Sequence, residues 1–219
     1  MRITTDLRPS FYDIRDQGQR PTCLAFAGSD LNRSYHNLPD PLSVEYLFHA
    51  AVQRTAALDP NSGVSISALS EALRVDGQPT ESGWPYLTNL PANLTAWVKP
   101  KTVGDIWVGD LQAEIMKVVK VLSSIDSGQP VLLVLSITEA FYSPNMNGVI
   151  DVEINDVMTP YRHAVIAVAS AKSVAGIAYT LVRNSWGKNW GLNGYAWVSE
   201  DYLAAQLISV CTIVGGSKK

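Results

Sequence analysis

The sequence contains little of what builds disulfide-rich, nucleic-acid-binding or membrane-spanning proteins. Only two of its 219 residues are cysteines, Cys23 and Cys211, and two cysteines cannot form a disulfide framework. Lys and Arg do not cluster and the formal net charge is −3, so a basic nucleic-acid-binding face is not expected. No apolar run approaches the roughly 18 residues of a membrane span. These absences predict a globular protein of a reducing compartment, without nucleic-acid or membrane partners.

Histidine is almost as scarce as cysteine. The three histidines, His36, His49 and His163, are scattered along the chain and show no metal-ligand spacing with the two distant cysteines. We therefore expect no metal and no cofactor. Apolar residues make up 47% of the chain and charged residues 17%, which is an ordinary globular composition. A chain of this length buries a sizeable core as one large domain or two small lobes, and we expect a monomer.

The apolar pattern changes in character half-way along the chain. The first half has three helical patterns, with Thr22 and Ser43 as candidate amino-terminal caps of the first two and either Ser65 or Ser67 as that of the third. Residues 110–127 are predicted to form a fourth helix, capped by Asp110. The second half holds short runs typical of buried strands, at residues 131–137, 163–169, 177–183, 194–199 and 209–214.

Helices followed by strands predict an α+β protein with two unlike lobes in a single domain, residues 1–219. We place a mainly helical lobe at about residues 13–108 and a mainly β lobe at about residues 109–219. The amino-terminal residues 1–12 are expected to pack across the body of the domain. A cleft between two lobes is a common place for an active site.

Cys23 lies in the segment Q-G-Q-R-P-T-C-L-A-F-A-G-S-D, residues 17–30, where a polar turn gives way to a helical pattern. A cysteine outside a disulfide usually packs as a small buried hydrophobe. At the start of a helix, however, the helix dipole lowers the pKa of a thiol and favours the nucleophilic thiolate. From its position alone, Cys23 is either a core thiol or a nucleophile.

His163 begins the apolar run H-A-V-I-A-V-A, so its ring is expected at the start of a buried strand. It is either a strand-end histidine bonded to the backbone or a general acid and base. The segment N-S-W-G-K-N-W-G-L-N-G-Y, residues 184–195, bears on this choice. An Asn side chain accepts a hydrogen bond from an imidazole and fixes its tautomer, and a Trp ring shields that bond from water. The alternative for Trp186 and Trp190 is plain core packing.

Four blocks of the sequence, taken together, resemble papain-like cysteine peptidases of the C1 type. Residues 17–26 resemble the block with the nucleophilic Cys six residues after a Gln. Residues 61–69, continued at 83–86, resemble the Gly-rich substrate wall, the helix behind it and a later aromatic segment. Residues 163–165 resemble the catalytic His strand, and residues 184–195 resemble the Asn-Ser-Trp-Gly block. The blocks follow the order of the family over about residues 13–199.

The resemblance implies a papain-like two-lobe fold, with a helical left lobe, an antiparallel β-barrel-like right lobe and the active-site cleft between them. It implies that Cys23 is the nucleophile, that His163 is its general acid and base, and that Asn184 orients the imidazole. Gln17 and the backbone N–H of Cys23 would donate to the developing oxyanion.

The resemblance also implies a polypeptide substrate and a hydrolase that cleaves peptide bonds, by default an endopeptidase. Ser62, Gly63 and Val64 would bind the non-primed side of the substrate as an added strand, with Arg162 and Trp186 next to the catalytic pair. Two other functions stay open. The same triad serves an amidase, deamidase or acyl transferase with a narrow substrate, and a non-catalytic binding module would keep only the cleft.

The chain departs from the family pattern in several places. Arg20-Pro21-Thr22 stands where Cys-Gly-Ser is usual, so the usual disulfides are missing, and Leu24 replaces a Trp. Arg162 precedes His163 where Asp or Asn is common, and its cation would disfavour an imidazolium or recruit an acidic substrate group. Cys211 is predicted to be a buried core thiol.

The amino terminus shows no apolar signal region and begins close to the mature terminus of the family. We therefore expect a compact member without a prosegment, located in the cytoplasm or delivered without a conventional signal peptide. The activity would then be controlled by a proteinaceous inhibitor, by a restricted substrate or by delivery into another cell, and not by a prosegment.

Overall fold

The computed structural model describes residues 1–115, 118–153 and 156–219. The chain forms two compact units. The sheet unit comprises Met1–Asp16 and Ala113–Thr212, and the helical unit comprises Gln17–Gln112 and Ile213–Lys219. No helix within the described ranges is long and apolar enough to cross a membrane.

The helical unit is built on three α-helices: α1 (Cys23–Tyr35), α2 (Val44–Val52) and α3 (Ile66–Val75). Short 3-10 helices follow at Glu81–Gly83 and Leu94–Ala96. The predicted cap of α2 is confirmed, because the Ser43 hydroxyl accepts from Tyr46 N. Of the two candidates for α3, Ser65 is the cap, because its hydroxyl accepts from Ala68 N. Thr22 occupies the cap position of α1, but its hydroxyl lies 2.8 Å from the Tyr86 hydroxyl and does not cap the helix.

Helix α1 is buried along most of its length, from Leu24 to Arg33. Gly28 explains how closely it packs, since a Cβ at this position would lie 2.8 Å from a methyl carbon of Leu69 on α3. The small residues after Cys23 therefore let two helices approach each other. This packing fixes the amino end of α1, where Cys23 lies.

The second half of the chain forms a mainly antiparallel sheet. Its described strands are β1 (Arg2–Asp6), β2 (Trp107–Ile115), β3 (Val131–Thr138), β4 (Val149–Ile150), β5 (Met158–Lys172), β6 (Ala178–Arg183), β7 (Tyr195–Ser199) and β8 (Leu207–Lys218). The strand order is β2-β8-β3-β5-β6-β7-β4, with β1 paired to β5. The β4–β7 pair is parallel, whereas β1–β5, β3–β5, β3–β8, β5–β6 and β6–β7 are antiparallel. The order has two ends, so the described strands form an open sheet and not a closed barrel.

Three further helices accompany the sheet: α4 (Val118–Asp126), α5 (Glu139–Tyr142) and α6 (Glu200–Gln206). The five strands predicted in the second half are confirmed, although β5 and β8 extend well beyond the predicted bounds. Strand β3 is almost wholly buried beside β5, where Leu135 pairs with His163. The core of the sheet unit thus supports the strand that carries this histidine.

The predicted helix over residues 110–127 is wrong in its first part. Residues Trp107–Ile115 form strand β2, and the helix begins only at Val118; residues 116 and 117 lie outside the described ranges. Strand pairing overrides the local helical pattern here. Trp107 exchanges backbone hydrogen bonds with Gln78, and Gly109, a poor helix former, packs against the Asn32 side chain.

Candidate active site

Cys23 is the first residue of α1, and the residues before it form a hydrogen-bonded turn. The Gln17 side chain is buried, and its Nε2 donates to the carbonyl oxygen of Arg20 at 2.9 Å. The backbone N–H of Thr22 donates to the same oxygen at 2.8 Å. Cys23 is partly exposed at the amino end of a 13-residue helix, where the helix dipole stabilises a thiolate. The local structure therefore suits a reactive thiol.

The predicted substrate wall lies in the loop between α2 and α3. The exposed Ser62 donates its hydroxyl to Asp59 Oδ2 at 2.6 Å, so it is part of a turn organised by that carboxylate. Gly63 has a φ of +71°, and a Cβ there would lie 3.3 Å from the carbonyl oxygen of Pro21. Only glycine fits this close approach without strain. The loop, with the half-buried Val64 next in sequence, thus packs on the turn that precedes α1.

In the sheet unit, His163 and Asn184 meet because of the register between β5 and β6. Ile166 pairs with Arg183, so extending the register by one residue brings Asn184 opposite Val165. Side chains alternate along a strand, so His163 and Asn184 share a face. The distance from His163 Nε2 to Asn184 Oδ1 is 2.7 Å, which is a hydrogen bond.

The neighbouring backbone fixes the direction of this hydrogen bond. The N–H of Ser185 donates to Asn184 Oδ1 at 2.8 Å, and because an N–H only donates, the accepting atom is the amide oxygen. His163 must then donate from Nε2. In the neutral imidazole, this places the proton on Nε2 and leaves the lone pair on Nδ1. His163 is therefore held as the tautomer whose Nδ1 accepts a proton.

The His163 imidazole is buried among aromatic rings and is 4% exposed. The Trp186 ring centroid lies 4.4 Å away and the Phe141 centroid 5.7 Å away. Burial disfavours the imidazolium and lowers the pKa of His163 to about 4, although the hydrogen bond with Asn184 acts in the opposite direction. The ring is thus neutral at pH 7 unless an anion approaches it.

Two aromatic residues of this cluster carry only a weak sequence signal. Tyr142 stacks on Trp186 at 5.3 Å between centroids, and the backbone oxygen of Phe141 accepts from Trp190 Nε1 at 3.0 Å. Both belong to the single-turn helix α5, which directly follows β3. An aromatic pair just after a buried strand is the one pattern that points to them, and it is a weak one.

Glycines allow residues 184–195 to fold tightly beside this cluster. Gly191 and Gly194 have φ values of +54° and +87°. A side chain on Gly191 would meet the backbone oxygen of Tyr195, and one on Gly194 would meet the Ile14 side chain. The loop is therefore set by backbone geometry that larger residues cannot adopt without strain.

Arg162 precedes His163 on β5 and is exposed. Because neighbouring side chains on a strand point to opposite faces, its guanidinium extends away from the face that carries the imidazole. Burial and the Asn184 hydrogen bond account for the shifted pKa of His163, with no contribution from Arg162. This argues against the hypothesis that Arg162 disfavours the imidazolium.

Cys211 is fully buried in β8, as the sequence predicted. Burial raises the pKa of its thiol to about 11, so it is a poor nucleophile at neutral pH. Within the described ranges, no group of three His, Cys, Asp or Glu side chains is placed to hold a metal ion.

We predict that the buried imidazole makes the fold sensitive to acid. The pKa of His163 is about 4 in the folded chain and near 6.5 when unfolded, so between these values only the unfolded chain binds the proton. Stability is therefore full above about pH 6.5 and falls as the pH drops towards 4, by up to about 3 kcal/mol from this group.

Chemical denaturation of Cys23→Ala and Cys23→Ala/His163→Gln between pH 4 and 7.5 measures this loss. Cys23→Ala is the common background, so the two proteins differ only at residue 163. The pH dependence should be shallower in the double variant. Identical slopes in the two proteins would contradict the assignment.

The fold is shared with known cysteine proteases. Xylellain, a cysteine protease from Xylella fastidiosa, aligns with a TM-score of 0.74 at 20% identity, covering 95% of this chain and 84% of that one. Bromelain from Ananas comosus, solved in complex with the E64 inhibitor, aligns with a TM-score of 0.69 at 18% identity, covering 95% and 96%. The predicted α+β, papain-like fold class is thereby confirmed.

Sequence comparison agrees with the fold. A cysteine protease from Blomia tropicalis is 29% identical over 201 residues, which are 86% of this chain and 58% of the relative. The chain thus spans little more than half the length of this curated relative. The family model described as papain family cysteine protease matches residues 4–214. A match over nearly the whole sequence shows that this chain belongs to the papain family of cysteine proteases.

Proposed function

We propose that this chain is a cysteine peptidase that hydrolyses peptide bonds, as an endopeptidase, through Cys23, His163 and Asn184. The observation that carries the proposal is the buried hydrogen bond from His163 Nε2 to Asn184 Oδ1, at 2.7 Å. It leaves Nδ1 as the proton acceptor, which is the atom that a general base needs. A thiol at the amino end of a helix is the matching nucleophile.

In the proposed reaction, Cys23 Sγ attacks the carbonyl carbon of the substrate and its proton passes to His163 Nδ1. The carbonyl oxygen becomes an oxyanion and accepts hydrogen bonds from Gln17 Nε2 and the Cys23 backbone N–H. The C–N bond then breaks, and His163 protonates the departing amine. The product of this half-reaction is a thioester on Cys23.

Water completes the proposed cycle. His163 removes a proton from the water, whose oxygen attacks the thioester carbonyl, and Cys23 leaves as the thiol or thiolate. Asn184 keeps the imidazole in one orientation throughout, and the ring of Trp186 excludes water from the bond between them. A hydrogen bond in such a dry environment is electrostatically stronger than one in water.

The substrate is proposed to bind as an extended strand along Ser62, Gly63 and Val64. Trp186 would contact the substrate near the catalytic imidazole. The guanidinium of Arg162, which extends to the opposite face of β5, is given no substrate contact there. A second function is favoured by one observation, the close approach of Gly63 to the carbonyl oxygen of Pro21. Because this proline stands where glycine is usual, it narrows the neighbouring pocket, and an amidase, deamidase or acyl transferase with a narrow substrate uses the same triad.

We predict that a peptidyl epoxide labels Cys23 and that a mixed peptide library is cleaved. Mass spectrometry of the wild type, Cys23→Ala and Cys211→Ala measures both. Cys211 is the matched control, since its thiol is buried and has a raised pKa, so Cys211→Ala should retain labelling and cleavage. Cys23→Ala should lose both.

The outcomes separate the candidate functions. Labelling without cleaved peptides would refute a general endopeptidase and favour the amidase or transferase. Absence of both labelling and cleavage in the wild type would refute the proposed nucleophile and leave a binding module.

A further inference from the structure

The turn before Cys23 contains a buried ion pair that the reaction does not use. Arg20 is 7% exposed, and its partner Glu45, on α2, is completely buried. Arg20 Nη1 donates to Glu45 Oε2 at 2.6 Å, and Nη2 donates to Oε1 at 3.0 Å. The guanidinium and the carboxylate thus form a bidentate pair, which is the geometrically most specific form of this interaction.

Neighbouring groups satisfy the Glu45 carboxylate further. Trp97 Nε1 donates to Oε1 at 2.7 Å, and the backbone N–H of Leu87 donates to Oε2 at 3.0 Å. Arg20 Nη1 also donates to the backbone oxygen of Leu87. A buried ion pair withstands the loss of hydration only when its geometry is good and further hydrogen bonds complete it. The Glu45 carboxylate meets that condition, because four donors lie on its two oxygens.

The guanidinium also packs between two aromatic rings. It lies 4.9 Å from the centroid of Tyr86 and 5.4 Å from that of Phe48. The Tyr86 hydroxyl donates to the backbone oxygen of Gln17 at 2.8 Å, so the Thr22 hydroxyl, 2.8 Å away, must donate to Tyr86. The side chain of Arg20 is therefore held by the same tyrosine that holds both ends of the turn.

The backbone of Arg20 connects this network to the oxyanion donor. Its carbonyl oxygen accepts from Gln17 Nε2 at 2.9 Å and from the Thr22 N–H at 2.8 Å. The Gln17 amide is thereby anchored to the Arg20 carbonyl through one of its hydrogens. The orientation of the Gln17 amide thus depends on where the carbonyl of Arg20 lies.

We propose that Arg20 is a positioning residue, whose ion pair with Glu45 holds the Arg20 carbonyl and, through it, the Gln17 amide in the orientation that stabilises the oxyanion. This inference rests on the proposed function. A charged side chain held by a bidentate ion pair here does by non-covalent means what a cross-link in this turn would do. Arg20 stands at the position where the papain family usually has the first cysteine of its Cys-Gly-Ser segment.

The test compares Arg20→Met with Arg54→Met. Arg54 is the matched control, because it forms an ion pair with Asp76 at 2.6 Å in the same helical unit without contacting the turn. Arg20→Met should lower kcat for peptide hydrolysis by about 10- to 100-fold with KM nearly unchanged, since a small displacement of an oriented group has this effect. Arg54→Met should leave both constants near their wild-type values. Arg20→Lys should recover part of the loss, because an ammonium keeps the charge but not the bidentate geometry.

A double variant separates positioning from general destabilisation. If Arg20 acts through Gln17, adding Arg20→Met to Gln17→Ala should lower kcat by no more than about threefold. Independent, multiplicative losses would overturn the proposal, as would an Arg20→Met kcat equal to that of Arg54→Met. Should Arg20→Met not fold, Glu45→Gln breaks the same pair while keeping the side-chain volume, and the same outcomes apply.

Amide exchange tests the network without any substrate. The Thr22 N–H, which donates to the Arg20 carbonyl, should exchange faster in Arg20→Met and Glu45→Gln than in Arg54→Met. Unchanged protection in both variants would overturn the proposed positioning even in an active enzyme. A wild type without peptidase activity, but with this exchange pattern, would refute the proposed function and leave the structural part of the inference in place.

Discussion

Replacing His163 with glutamine is expected to lower kcat for peptide hydrolysis by about 1,000- to 10,000-fold, because the variant lacks the proposed general base. A glutamine amide is expected to donate to Asn184 Oδ1, the atom that lies 2.7 Å from His163 Nε2 in the wild type. It has no atom that accepts a proton at neutral pH. The loss therefore reports proton transfer and not the collapse of the aromatic cluster. Steady-state kinetics on a peptide cleaved by the wild type measure it.

The matched control is His49→Gln. The pKa of His49 is also lowered by burial, and its ring packs against Trp84 and Trp97, but the proposed reaction gives His49 itself no role. We expect its kcat to stay within about threefold of the wild type. A His163→Gln enzyme that retains more than a tenth of wild-type turnover would contradict the assigned base. So would equal losses in the two variants.

Local sequence predicts those parts of the fold whose causes are local. The Ser43 and Ser65 caps act on N–H groups three residues away, so the sequence alone locates the starts of α2 and α3. Strand β2 was missed because its causes are distant. Its pairing with residues near Gln78, and the packing of Gly109 on Asn32, depend on chain segments 29 to 77 residues away.

The candidate site likewise has parts that local sequence predicts and parts that depend on distant residues. The block around Cys23 and the Asn184 segment are recognisable because each is a short contiguous motif. The packing of Tyr142 on Trp186 and the pairing of Arg20 with Glu45 join residues 44 and 25 positions apart, and no periodicity marks either pair. Arg20 stood out in the sequence only as a departure from the family pattern. The structure shows that the Arg20 side chain pairs with Glu45, and the proposed positioning role is inferred from that contact.

Gln17→Ala is expected to lower kcat by about 100- to 1,000-fold with little change in KM, which is the usual cost of removing one oxyanion donor. The Gln17 amide is buried, and one of its two hydrogens is already used by the carbonyl of Arg20. In the proposed reaction, the amide donates to the oxyanion only while negative charge develops on it. Because the ground state gains little from it, the loss should fall on kcat.

Alkylation of Cys23 by iodoacetamide separates this role from damage to the nucleophile. That reaction displaces iodide and forms no oxyanion, so Gln17→Ala should alkylate at close to the wild-type rate while peptide turnover falls. Gln19→Ala is the matched control, since Gln19 is exposed in the same turn and should leave turnover unchanged. If alkylation slowed in parallel with turnover, Gln17 would support the thiol and not the oxyanion. If neither rate changed, the oxyanion would be stabilised by the Cys23 N–H and by donors other than Gln17.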